Sequence, residues 1–215
     1  MSIEKAYKKS KNIYDDILTQ KSFLGKIYMK IFWGGGDDNE IAKKVLNYIP
    51  DNFDGKILDV PVGTAVFTHE KWKKLSNAQI TCLDYSTDML NQAKERFLNC
   101  EHINCVQGDV SNLEFSEESF DIVFSMNGFH AFPDKPKAYE EIFRVLKKDG
   151  MFISTFYIEG QSKITDLWVD KFLAKKGWFT KPFESLDDVK NNLSEMYKSV
   201  EIRVEGSMIY FMCKK

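Results

Sequence analysis

A doubly wound α/β domain, built on a mostly parallel sheet with helices on both faces, is the fold this sequence predicts. Three observations carry that expectation. From residue 56 onward, short strand-like runs alternate with helix-patterned stretches for about a hundred residues, which is the signature of βαβ units. The strand-like runs are near-continuous apolar segments, as expected where helices cover both faces of a sheet. The last two runs, 200–204 and 208–213, are separated only by Glu205-Gly-Ser207. A gap that short holds no helical crossover, so these two strands run antiparallel.

The elements follow in order. Residues 3–32 are patterned as amphipathic helix, with Ile3, Tyr7, Tyr14, Ile17 and Leu18 on one stripe and Phe23, Leu24, Ile27, Tyr28, Ile31 and Phe32 on another. Trp33-Gly-Gly-Gly36 interrupts the pattern. Asp37 or Asp38 then caps a helix with Ile41, Val45, Leu46 and Ile49 on its buried side, ending at Pro50. So much helix ahead of the first strand predicts an N-terminal helical cap or lid at 1–50 and a sheet domain at 51–215. The first strand, 56–61, turns at Gly63 into a helical stretch that begins near Ala65 and carries Phe67, Trp72 and Leu75. A second strand covers 79–84, and Ser86 is positioned to cap the helix bearing Met89, Leu90, Ala93 and Phe97. The third strand, 103–107, leads into Gly108-Asp109, and the fourth, 120–125, into Met126-Asn-Gly-Phe-His130. Pro136 starts a helix with Ala138, Ile142, Val145 and Leu146, whose C-terminal signals are Lys147, Lys148 and Gly150. A fifth strand spans 151–158. Then the rhythm breaks. Residues 163–175 are helix-patterned, 177–183 form an aromatic-rich loop, and Ser185-Leu-Asp-Asp188 has the form of a capping box opening a helix to about Lys198. The stretch from about 160 to 198 therefore reads as a helical insert suited to contacting a substrate.

Bulk properties narrow the function. The formal net charge is -2, which argues against nucleic-acid binding driven by overall charge. A hydrophobic fraction of 43% is ample for a core. Lysine clusters such as Lys71, Lys73 and Lys74 read as solvated helix faces. The four cysteines, Cys82, Cys100, Cys105 and Cys213, form no Cys-x-x-Cys pair and have no histidine at zinc-ligand spacing. No metal site is expected, and the set suits a reducing cytoplasm. The N-terminus has no apolar core of signal-peptide type, and no apolar run approaches the ~20 residues of a membrane span, so no membrane partner is expected.

The chemistry gathers at the strand ends. Asp59 sits in the first strand, Asp84 ends the second and Asp109 follows the third. In an open α/β sheet, ligands bind beyond the carboxyl ends of the strands. Asp84 lies 21 residues after Gly63, and a carboxylate at about that distance accepts bonds from both hydroxyls of a ribose. Asp109 reaches the same edge, where an acceptor meets the exocyclic amine of adenine. Together they point to an adenosyl ligand. A dinucleotide needs Gly-x-Gly-x-x-Gly, so that a pyrophosphate can lie on the helix start. Here Pro61-Val-Gly63-Thr-Ala65-Val-Phe67 has one glycine, and Phe67 crowds a diphosphate. A ligand without phosphates fits better.

These residues resemble the class I S-adenosylmethionine-dependent methyltransferases, over roughly 38–215. Ile57-Leu-Asp-Val-Pro-Val-Gly-Thr-Ala65 is similar to the family's first motif and Leu83-Asp-Tyr-Ser-Thr-Asp-Met-Leu90 to its acidic second motif. Gln107-Gly-Asp-Val110, Phe120-Asp-Ile-Val123 and the 141–150 block match later motifs. The nearest group is that of ubiquinone and menaquinone biosynthesis, in which the substrate is often a small molecule. The first motif departs from the family's Asp-x-Gly-x-Gly-x-Gly at Pro61 and Ala65. The resemblance implies a Rossmann-like, seven-stranded sheet with an antiparallel C-terminal strand, and S-adenosylmethionine as cofactor. It implies cofactor contacts for Asp59, Val60, Pro61, Gly63 and Thr64 of the first motif. Asp59 would approach the methionine amino group, Asp84 the ribose, Tyr85 and Met89 the adenine pocket, Asp109 and Val110 the adenine edge, and Asn127 the methionine end. Met89 is equally a core position by its helical spacing. Tyr14 would reach over the sulfonium, or pack as one more apolar residue. His130 is a candidate general base for an acceptor that must lose a proton, or a structural loop residue. Phe129, Phe132, Trp168, Trp178, Phe179 and Phe183 are candidate substrate walls. The competing functions are a SAM-binding module without catalysis, an NAD-dependent oxidoreductase, and a nucleic-acid methyltransferase, for which Asn127-Gly-Phe-His130 is the wrong motif.

Overall fold

The computed structural model describes residues 37–215. The first element, α1 (Asp38–Leu46), is capped by Asp37, whose carboxylate accepts the Asn39 N–H at 2.9 Å. It buries Ile41, Ala42 and Val45. The sheet follows with β1 (Lys56–Asp59), β2 (Gln79–Asp84), β3 (Ile103–Gln107), β4 (Phe120–Met126), β5 (Leu146–Tyr157), β6 (Ser199–Glu205) and β7 (Met208–Lys214). Among the described residues these seven strands form one sheet in the order β3-β2-β1-β4-β5-β7-β6. The five strands up to β5 pair in parallel, while β7 is antiparallel to both β5 and β6.

Continuous apolar strands follow from burial on both faces. Ile57, Ile80, Ile122, Phe124 and Ile153 pack on one side with α1, Trp72 and the helix residues Leu90 and Ala93. Their chain neighbours Leu58, Val123 and Phe152 pack on the other with Ala138, Ile142, Val145, Val189 and Leu193. The covering helices are α2 (His69–Lys74), α3 (Thr87–Arg96), α4 (Lys135–Val145) and α7 (Leu186–Met196). Ser86 caps α3 through the Met89 N–H, and Ser185 with Asp188 forms the reciprocal capping box of α7. Each such cap is worth about 1 kcal/mol.

Two boundaries differ from the sequence reading. The glycine turn is followed by further turns, so α2 starts at His69 rather than near Ala65. Lys147, Lys148 and Gly150 do not end a helix; α4 stops at Val145, Leu146 is already extended, and these residues belong to β5. The β4–β5 pairing jumps from Phe120↔Leu146 to Ile122↔Met151, and this bulge absorbs them with Asp149 at φ 61°. Lys147 Nζ bonds Asp121 on β4 at 2.8 Å, a tertiary contact that outweighs the local helix-end signal.

Between β5 and α7 the chain makes an excursion. It runs through α5 (Lys163–Trp168), a π-helical turn (Val169–Leu173) and the short α6 (Ala174–Lys176), which Gly177 ends at φ 79°. Backbone bonds tie it back to the sheet: Glu159 N–H donates to Glu184 O at 2.9 Å and Thr180 N–H to His130 O at 2.8 Å.

Candidate active site

The parallel strands reverse direction of addition between β1 and β4, which is where an open α/β sheet leaves a crevice at its carboxyl edge. A cavity of about 880 Å³ lies there. Its sheet side is lined by Asp59 through Thr68, Leu83 through Ser86, Met89, Gly108 through Val110, Met126 and Asn127. Its other side is lined by Ala131, Phe132, Pro133 and residues of the excursion, including Asp170, Lys171, Ala174, Lys175, Phe179 and Lys181.

Asp59 closes β1 and is 1% exposed. Its Oδ2 accepts the Trp72 Nε1–H at 2.7 Å, while Oδ1 is buried with no hydrogen-bond partner. Burial raises this carboxyl to about 7, and the Trp72 bond works against the shift. Asp84 closes β2. Its Oδ2 accepts the Gly63 N–H and its Oδ1 the Ser86 N–H, both at 2.8 Å. Burial raises Asp84 to about 6, against the pull of those two N–H donors. The bonds orient the carboxylate and leave a further lone pair on each oxygen for a ligand. Gly63 is at φ +56°, and a Cβ there would meet nothing within 4 Å, so the backbone borders open space. Ala65 also has positive φ, at 59°, and is 2% exposed. An L-residue in that region costs roughly 1–2 kcal/mol, so alanine in place of glycine is held here with backbone strain.

Asp109 is exposed, and its Oδ1 accepts the Ser111 N–H and hydroxyl at 2.9 and 2.7 Å. Val110 and Met89 are 7% and 4% exposed yet both line the cavity, so Met89 is core and wall at once. Tyr85 is 58% exposed at the rim. Asn127 follows β4 at φ 56°, with Oδ1 buried and without a hydrogen-bond partner. Of the sequence-derived positions, Asp59, Val60, Pro61, Gly63, Thr64, Asp84, Tyr85, Met89, Asp109, Val110 and Asn127 thus share one cavity. Tyr14 lies outside the described residues.

His130 is a different matter. It is not among the residues lining the cavity. Its ring stacks on Phe179 at 4.1 Å and its Nδ1 accepts the Tyr157 N–H at 3.4 Å. Burial, helped by Lys135, lowers it to about 3. An imidazole so placed supports the loop rather than taking a proton from a ligand. Among the six expected walls, Phe132 and Phe179 line the cavity. Phe129 instead packs in the far-face core against Tyr139 and Phe156.

Two features were not anticipated. The excursion contributes charged residues, Asp170, Lys171, Lys175 and Lys181, to the cavity. Asp38 is fully buried with both oxygens unpartnered; burial and then Asp37 raise it to about 7. The Asn127 amide stands close enough to pull that value down, although no bond of normal geometry joins them. The two adjacent aspartates at a helix start were a visible signal, but not which one turned inward.

The chemistry of this donor set fits an adenosyl ligand with a cationic end. Asp84 keeps acceptor capacity on both oxygens, which suits hydroxyl donors, and the unpartnered Oδ1 atoms of Asp59 and Asn127 suit N–H donors. A methyltransferase domain family matches residues 58–154. The match runs from β1 into β5, the strands whose carboxyl edge holds the cavity. The chain is 31% identical over 149 residues to demethylmenaquinone methyltransferase of Thermotoga maritima, covering 69% of this chain and 62% of that one. It is 40% identical over 99 residues to demethylmenaquinone methyltransferase of Staphylococcus epidermidis, covering 46% and 41%. The chain thus spans less than two thirds of the length of these curated relatives. Its fold matches a SAM-dependent methyltransferase from Thermotoga maritima described as a possible histamine N-methyltransferase, with TM-score 0.70, 15% identity and 100% coverage of both chains. It also matches Haemonchus contortus phosphoethanolamine N-methyltransferase 2, solved with S-adenosyl-L-methionine, with TM-score 0.71, 17% identity, and 100% and 60% coverage. The chain has no helix among the described residues long and apolar enough to cross a membrane.

Proposed function

We propose that this chain is an S-adenosylmethionine-dependent methyltransferase that transfers a methyl group to a small-molecule acceptor in the cytoplasm, with residues 51–215 as the catalytic domain; α1 packs into the core of that domain, and the rest of the cap expected at 1–50 lies outside the described residues. The observation that supports this best is the cavity at the strand-order reversal, where Asp59, Asp84 and Asp109 meet Gly63. When bound, S-adenosylmethionine would supply an electrophilic methyl on a sulfonium, with a neutral thioether as the leaving group. Asp84 accepts the ribose hydroxyls, already oriented by the Gly63 and Ser86 N–H groups. Asp109 and Val110 receive the adenine edge, with Met89 and Tyr85 beside the ring. Asp59 Oδ1 and Asn127 Oδ1 take the methionine ammonium. The remaining volume, between Phe132 and Phe179, holds the acceptor and excludes water. Alignment of this kind is worth on the order of 7–11 kcal/mol, and it is the main contribution the protein makes to displacement from a good leaving group.

Calorimetric titration with S-adenosylmethionine and its demethylated product tests the binding site, and transfer of labelled methyl into fractionated small molecules of a cell extract tests catalysis. Binding without transfer selects the second reading, a non-catalytic SAM-binding module, which the seclusion of His130 favours. A dinucleotide is disfavoured because α2 begins at His69, well beyond Gly63, so the glycine turn does not lead straight into the start of the helix that follows it. Heat stabilisation by NAD and not by S-adenosylmethionine would reverse that judgement.

A further inference from the structure

The two ends of the cavity differ in charge. Asp59, Asp84 and Asp109 stand at the strand ends, whereas the excursion lines the opposite side with Lys171, Lys175 and Lys181 against Asp170 alone. Asp170 is ion-paired with Lys181 and lies 3.7 Å from Lys171. Lys175 has no ion pair among the described residues and is exposed to the cavity. Lysines near a helix C-terminus are favoured by the dipole, and that alone accounts for the presence of Lys175 and Lys176 at the end of α6. It does not account for their different surroundings. Lys176 lies over the Trp178 ring at 4.9 Å and is not a cavity residue, whereas Lys175 is. The same side of the cavity is also lined by Phe132 and Phe179, apolar rings that are 7% and 5% exposed.

We infer that the acceptor is an apolar body carrying an anionic group, a carboxylate or a phosphate, which Lys175 receives with Lys171 and Lys181 while Phe132 and Phe179 hold the body. The inference rests on the proposed function, since filling the strand-end half with cofactor leaves the lysine half for the acceptor. Three lysines facing one aspartate leave an uncompensated positive field at the mouth, and a cleft focuses such a field on an entering ligand.

Two fluorescent probes of like shape test it: anilinonaphthalene sulfonate and the neutral phenylnaphthylamine, titrated with saturating demethylated cofactor present. The sulfonate is expected to bind at least about fivefold more tightly than the neutral probe, and the gap is expected to shrink as salt rises. Lys175→Glu removes the gap; Lys176→Glu, the same charge change one residue on, leaves it. Where Lys175→Glu lowers the melting temperature, Lys175→Met takes its place, with a loss of about threefold. Equal affinity for the two probes, or equal losses in the Lys175 and Lys176 variants, overturns the inference. So does a loss of demethylated-cofactor affinity in Lys175→Glu, which gives the lysine to the cofactor's own carboxylate. Calorimetry with the cofactor alone is read separately: no cofactor binding, with the sulfonate preference intact, keeps the anion site and sinks the cofactor reading.

Discussion

The two sides of the cavity are built in opposite ways. On the sheet side, Asp59 and Asp84 are the last residues of their strands, Asn127 is the first beyond its own and Asp109 the second, and short bonds fix the two buried carboxylates: Asp84 holds two backbone N–H groups, and Asp59 holds the Trp72 indole. On the other side, the groups ride on short helical pieces joined by a π-turn and held by side-chain and backbone bonds to the 130–135 loop. A sheet edge presents the same geometry for any ligand with an adenosyl group. A strapped excursion changes its walls without changing the sheet. The difference suggests a division of labour, cofactor on the rigid side and acceptor on the adaptable one.

The sharpest attempt to break that division is Phe179→Ala. Phe179 is 5% exposed and contacts both His130 and Tyr157. Its loss is expected to cost about 3–5 kcal/mol locally. Hydrogen exchange is expected to quicken in the excursion amides while cofactor affinity stays within about threefold. Collapse of cofactor binding as well would mean that the two sides are one unit. Next comes Asp84→Ala, expected to weaken S-adenosylmethionine binding by about 2–3 kcal/mol, read by calorimetry with a melting curve as control. Because free Asp84 titrates near 6, wild-type affinity is expected to fall as pH drops through that value, and to do so less in the variant. Unchanged affinity in the variant would sink the assignment.

Asp38→Asn is expected to act on stability. The Asp38 carboxyl is raised from its ordinary 3.8 to about 7 on folding, so the folded protein binds its proton more tightly. Its favourable contribution is complete below about pH 4 and is lost as pH rises to about 7. Asparagine escapes that loss, so the variant is expected to be more stable than wild type at pH 8, by about 2 kcal/mol, and not at pH 4. Chemical denaturation at the two pH values checks the sign. The smallest effect belongs to Ala65→Gly. Relief of the positive φ outweighs the added freedom of the unfolded chain by under about 1 kcal/mol. That is a rise in melting temperature of about 1–3 °C; a fall would show that Ala65 is not strained.

The sheet side was also the side the sequence spelled out. Strand runs, the Ser86 and Ser185 caps and the 21-residue spacing from Gly63 to Asp84 are local patterns, and each has a local cause. The antiparallel pair followed from one short gap. What escaped depends on distant contacts. Nothing near Lys147 announces that Asp121 will claim it for a strand. Nothing in Phe129-His130 says that the phenylalanine enters the far core and the imidazole lies under Phe179. In Asp37-Asp38, the pattern allowed either to cap, and packing decided that Asp38 turned inward. The lysines of the excursion carried no signal in the sequence, because helix spacing holds no information about a cavity formed by another part of the chain.

The bond from Glu159 N–H to Glu184 O has one more consequence. It brings the two stems of the excursion side by side, so everything from Gly160 to Phe183 leaves and re-enters the sheet domain at a single point. Loop-closure entropy changes only slowly with length, by about 0.6 kcal/mol per doubling. The segment thus has the stems of a cassette: one of different length between the same two glutamates leaves the backbone path of β5 and α7 open, provided it replaces the core contacts of Val169, Leu173 and Phe179.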